Sequence, residues 1–226
     1  MTGTRPPLAA TAAALTATLG LAAIGWGVAV HQMSGMDMGS MTPLGPFASF
    51  IVIWVVMMVA MMLPGLTPTL WRRAQAGSRV HDVLLFAVSY LVVWGLFGVP
   101  VYVLYRPHDT VIAGVVTIAA GLFELTPLKR SFRRRCCEDG YSGFAFDLCC
   151  LGSSIGLMLT QVSLGIMSIT WMVIASVVIV GQKLLPPRPL VDVPVALAMI
   201  ALGVLIVVAP SSVPGLTPPM SMSMPM

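Results

Sequence analysis

Apolar runs about 20 residues long, broken by short polar or basic stretches, follow one another along this chain. A helix needs about 20 apolar residues to cross the hydrocarbon core of a bilayer. By that rule the pattern predicts spans at Leu8–Val30, Phe47 to about Leu70, Val83–Tyr105, Val111–Leu128 and Val191–Ala209. The run from Phe144 to Val180 is too long for one untilted span and barely long enough for two. The predicted class is all-α: a polytopic transmembrane helix bundle.

Charge placement decides how often the ambiguous run crosses. Arg72, Arg73 and Arg79 lie between the second and third runs. Lys129, Arg130, Arg133, Arg134 and Arg135 follow the fourth, and Lys183 and Arg188 precede the last. If all three clusters face the cytoplasm, as the positive-inside bias favours, residues 144–180 cross twice with a tight turn near Gln161–Gly165. The expectation is then seven spans with the N-terminus inside and the C-terminus outside; a single long helix would leave six. The first run is long for a signal-peptide core and lacks a clear cleavage site, so an uncleaved anchor is expected, in an integral protein most simply of a bacterial cytoplasmic membrane. The expected organisation is an anchor helix at 1–30, an outer loop at 31–46, a helix bundle at 47–209 and an outer tail at 210–226.

Composition supports this solvent. The 226 residues are 58% hydrophobic and only 9% charged, with a mean hydropathy of +0.95. A soluble domain carries about 25% charged residues. The net charge of +4 is spread over inter-run clusters rather than one face, so nucleic acid is not an expected partner. No nucleotide loop, nucleophile elbow or zinc-protease motif is present, and no enzyme activity is expected.

Methionine changes the picture, at 17 residues and clustered. The first loop places His31, Met33, Met36, Asp37, Met38 and Met41 within eleven residues, and the tail ends with Met220, Met222, Met224 and Met226. A thioether is soft and neutral, so it prefers Cu(I) to hard ions and survives in an oxidising compartment where thiols are lost. His31 and Asp37 add ligands suited to Cu(II). Met57, Met58, Met61 and Met62 form a ribbon in the second run, because residues four apart share a helix face. Glu124 is a carboxylate at membrane depth, a functional candidate by default. Cys136 and Cys137 lie in the basic loop and Cys149 and Cys150 open the fifth run. Reduced thiols there suit a Cu(I) or zinc-type thiolate site.

Four motifs in order carry a resemblance. Trp54–Pro64 reads W-x-x-M-x-x-A-M-M-x-P and Ala120–Lys129 reads A-G-L-F-E-L-T-P-L-K. Residues 149–158 read C-C-x-G-S-S-x-G-L-M and Gly165–Met172 reads G-I-M-S-I-T-W-M. Together they resemble the predicted metal-binding integral membrane family catalogued as domain of unknown function 2182, over about Phe47 to Ala209. The resemblance implies a helical, metal-binding membrane protein with a suspected link to copper. This chain departs from the family pattern at Glu124, where Gln is usual. It also departs at Cys136–Cys137, where the pair is spaced, and at Ser153–Ser154, where Cys and Trp are expected.

The functional expectation is capture of a copper ion, Cu(I), on the outer Met segments, followed by transfer through a Met- and Cys-lined bundle. Transport and delivery to a cuproenzyme as a membrane chaperone both fit. The rival expectation is an accessory subunit of a larger membrane complex, the cuproenzyme itself included. Expected partners are the lipid bilayer, the metal ion and such a membrane subunit.

Overall fold

Every regular element among the described residues is helical. The computed structural model describes residues 8–35, 43–75, 80–137, 144–213 and 216. The helices are α1 (Leu8–Met33), α2 (Phe47–Gln75), α3 (Val80–Leu104), α4 (Thr110–Glu124), α5 (Pro127–Cys137), α6 (Phe144–Gly165), α7 (Ile169–Leu184) and α8 (Pro189–Val208), with a short 3-10 turn at Pro210–Ser212. Among the described residues four helices are long and apolar enough to cross a membrane. They become five if α4 and α5, which meet at 64°, count as one bent span, and α7 is apolar but shorter. The all-α expectation holds, while this count stops short of seven.

Local chemistry sets the helix limits. The fourth run was expected to continue to Leu128, but α4 ends at Glu124. Proline disfavours helical backbone in the residue before it and brings no N–H, and Pro127 is the first residue of α5. The Thr126 hydroxyl accepts from Lys129 N at 3.3 Å, capping the new helix. Residues 144–180 do contain two helices. The break lies at Gly165–Ser168, beside the expected turn, and Gly165 takes φ +143, where a side chain would be strained. The first run extends past Val30, so His31 and Met33 form the last turn of α1 rather than a loop. The helix stops at Gly35, which sits at φ +82.

Neighbouring helices approach closely at small residues. A Cβ on Gly114 would lie 2.8 Å from the Gly203 carbonyl, and one on Gly121 3.0 Å from the Ala196 carbonyl, so α4 and α8 meet backbone to backbone. Gly98 on α3 leaves room for the Trp54 ring of α2, whose Nε1 donates to the Trp94 carbonyl at 2.9 Å. Gly25 on α1 packs against Val59 and Ala60 of α2. Thus α2 is the central helix, flanked by α1, α3 and α7.

The outer surface is apolar, with Leu104, Val177, Leu190 and Val208 among its most exposed side chains, whereas Glu124, Lys129, Arg133, Asp147, Gln161, Gln182 and Asp192 are buried. A surface of that kind is compatible with insertion into a membrane.

Candidate functional site

Among the described residues, the buried charged side chains gather at one end of the bundle. The chain reaches this end at the close of α2, α5 and α7 and at the start of α3, α6 and α8. The bend after Glu124 turns α5 across α6, where Gly152 admits the Phe132 ring. That docking carries Cys136 of α5 beside Cys150 of α6, where it packs against the buried cluster that contains Cys150. The Tyr90 hydroxyl of α3 lies 3.3 Å from Cys150 Sγ. Lys183 of α7 donates to that hydroxyl at 2.8 Å and is also hydrogen-bonded to Cys150. Cys136, Cys150, Ser153, Ser154, Gln182 and Lys183 line a cavity of about 40 Å³. That is room for a water molecule or a single ion.

A second set of charges lies directly behind. Lys129 and Glu124 form an ion pair with both side chains fully buried. Gln182 joins them, donating Nε2 to Glu124 Oε2 at 3.0 Å and accepting from Lys129 Nζ at 3.0 Å. Arg133 pairs with Asp192 and donates to the Gln182 and Leu185 carbonyls. Glu124 Oε1 is left buried without a hydrogen bond. The network therefore joins α4, α5, α7 and α8. Nearer the mouth, Asp147 accepts from the Ser89 hydroxyl at 3.0 Å.

The candidates separate cleanly. Cys136 and Cys150 meet, across two helices and not within either adjacent pair. Cys149 is buried next to them, and the Cys137 side chain lies outside the described residues. Glu124 is held by Lys129 and Gln182 rather than by other carboxylates or thiols. Met57, Met58, Met61 and Met62 are buried in the main apolar cluster with Phe50, Trp54 and Met33. Met33, expected in a polar loop, is thus a core residue: α1 continues through it and turns it inward. His31 is exposed at the end of α1. Met36, Asp37, Met38, Met41, Met220, Met222, Met224 and Met226 lie outside the described residues.

The described flanks of both Met-rich segments are at one end of the bundle. The Tyr102 hydroxyl, near the end of α3, donates to the Gly45 carbonyl ahead of α2. His108, before α4, lies 3.1 Å from the Ser163 carbonyl near the end of α6. Ala113, Leu164, Ile206, Val213 and Leu216 form one buried cluster beside these contacts. The thiol pair is at the other end.

Sequence reasoning missed Tyr90, Gln182 and Asp192, and used Lys183 only for topology. Asp192 could have been found by the rule that singled out Glu124, an ionisable residue inside an apolar run. Tyr90 carries no such signal. Among the described residues no group of three or more His, Cys, Asp or Glu side chains converges. The thiol pair is a two-sulfur site, which is too few ligands for a closed tetrahedral zinc centre.

These features define an all-helical bundle with an apolar exterior, a sulfur-bearing interior and a two-thiol cavity. Residues 51–206, more than half of the chain, match the PpoB2 family, described as copper chaperone, and the chain belongs to that family. No curated protein and no solved structure matches it.

Proposed function

We propose that this protein is a membrane-embedded copper chaperone that holds Cu(I) between the Cys136 and Cys150 thiolates. The observation that carries the reading is the thiol pair itself: residues fourteen apart in sequence, on two helices, lining one cavity of ionic size. Soft thiolates favour Cu(I), which accepts two sulfur ligands where zinc asks for four. Membership of a copper chaperone family supports the choice of ion.

In this reading the Met segments at the far end, with Met36, Met38 and Met41 in the loop and Met220 to Met226 in the tail, capture the ion on the outer side. The thiol end faces the cytoplasm, where the basic clusters belong and thiols stay reduced. Holding and handing over an ion needs no catalytic group. The receiving partner is a cuproenzyme or another membrane subunit.

The test is anaerobic Cu(I) titration of the purified full chain against a competing chelator. Cys136→Ser and Cys150→Ser each remove the tight ion, while replacing Met36, Met38 and Met41 by Leu removes only weaker sites. Retention of the tight ion in both serine variants refutes the thiol site. The rival role of accessory subunit has support of its own. An apolar crevice of about 320 Å³ lies between α6, α7 and α8, and Gln161 on its wall has a buried Oε1 without a hydrogen bond. A stoichiometric partner co-purifying with metal-free protein would favour that role.

A further inference from the structure

Building on the thiol-site reading, we infer that Lys183 is the charge selector of the site: its ammonium balances a Cu(I) bis-thiolate and disfavours a divalent ion in the same place. The argument is electrostatic. When the ion binds, two S–H bonds are replaced by two S–Cu bonds, two protons leave to water, and no electron moves. Two thiolates and one Cu(I) leave a net charge of −1. Two thiolates and a divalent ion leave zero. In a poorly solvated interior, net charge is what costs most.

Among the described residues, most of the buried charges around the site are matched. Lys129 is matched by Glu124 and Arg133 by Asp192. Arg73 acts on Asp147 and stacks over the Phe86 ring at 4.1 Å. Arg72 borders the cavity but is exposed, so water screens it. Lys183 remains, and among the described residues no carboxylate forms an ion pair with it. With Cu(I) bound, Lys183 brings the site to neutrality; with a divalent ion it leaves one uncompensated positive charge.

Lys183 is also held in place for this task. Its stem lies against Gly65 of α2, where an added Cβ would come within 2.6 Å of Lys183 Cδ. Its ammonium is fixed by the Tyr90 hydroxyl at 2.8 Å and lies 5.3 Å from the centre of the Tyr90 ring. Lys183 touches no metal in this scheme; it acts on the ion through charge.

The experiment compares ions on the full chain in detergent or nanodiscs without oxygen. Cu(I) affinity is read by competition with bicinchoninate and Zn(II) affinity by competition with a chromophoric zinc chelator, for wild type, Lys183→Met, Lys183→Arg and Cys150→Ser. Lys183→Met keeps the packed stem and removes the charge. It weakens Cu(I) by roughly ten- to a hundredfold, the scale of one lost charge contact near a protein surface, and leaves Zn(II) unchanged or tighter. Lys183→Arg retains the wild-type ratio. An unchanged Cu(I)-to-Zn(II) ratio in Lys183→Met, with tight Cu(I) lost in Cys150→Ser, overturns the selector and spares the thiol site. Tight Cu(I) surviving in Cys150→Ser overturns both. If Lys183→Met does not fold, Gly65→Ala reads the same ratio, because it displaces the ammonium with its charge intact. A smaller shift in the same direction supports the selector, and no shift overturns it.

Discussion

Glu124→Gln isolates the cost of leaving a cation alone inside the bundle. The substitution keeps the shape of the side chain and removes one charge. Lys129 is fully buried and Glu124 is its carboxylate partner, so the variant leaves an uncompensated ammonium away from water. Breaking a buried pair by removing one partner costs about 3–5 kcal/mol. The new amide can still accept a hydrogen bond from Lys129 or Gln182, which returns about 1 kcal/mol. The net loss is therefore about 2–4 kcal/mol. At about 2–4 °C per kcal/mol for a chain of this size, thermal unfolding in detergent should move down by roughly 4–16 °C. The double variant Glu124→Gln, Lys129→Met removes the stranded charge and should be more stable than Glu124→Gln alone. A single variant within about 1 kcal/mol of wild type, or a double variant that merely adds the two losses, would refute the claim that Glu124 exists to neutralise Lys129.

Two further outcomes follow from particular contacts. Gly203→Ala places a Cβ 2.8 Å from the Gly114 carbonyl and 2.6 Å from the Ile118 side chain. It should cost about 1–3 kcal/mol of stability in the same unfolding assay, and a neutral result would mean that α4 and α8 do not meet there. In a Cys137→Ser, Cys149→Ser background, a bulky maleimide should label the half-buried Cys136 before Cys150, which is 2% exposed. Cu(I) loading should protect both; mass spectrometry of the labelled peptides decides the order.

The fold was legible where one rule governed a whole segment. Twenty apolar residues in lipid become a helix because no other backbone arrangement satisfies every N–H and C=O. For the same reason the split of residues 144–180 into α6 and α7 could be anticipated from charge alone. The bend at Leu125–Thr126 was missed although Pro127 announces it, because run length outweighed the proline. The C-terminal end of α1 was misjudged because Met33 reads as polar-loop chemistry beside Met36 and Met38, yet its position on the helix turns it into the core. The site was half legible. Both cysteine pairs were recognised, but adjacent thiols diverge, and only the bend that lays α5 over α6 selects Cys136 with Cys150. Tyr90, Gln182 and Lys183 reach that point from α3 and α7, and no spacing in the sequence encodes a contact between four helices.

The two kinds of sulfur differ in what an ion must do to reach them. Met57, Met58, Met61 and Met62 are at most 1% exposed, on a helix enclosed by α1, α3 and α7. Methionine fills irregular gaps in a core, and a ribbon of four on the central helix packs against three neighbours whether or not copper passes. An ion entering there must first part helices that meet at native density, and so pay the loss of their packing. At the thiol pair the cavity already exists, its walls carry serine hydroxyls and a glutamine, and Lys183 on its wall has the sign that a bis-thiolate requires. On the proposed reading, the resting site for Cu(I) is therefore Cys136 and Cys150 rather than the α2 thioethers. In that reading the α2 thioethers meet the ion only in passage, while α2 and its neighbours are apart.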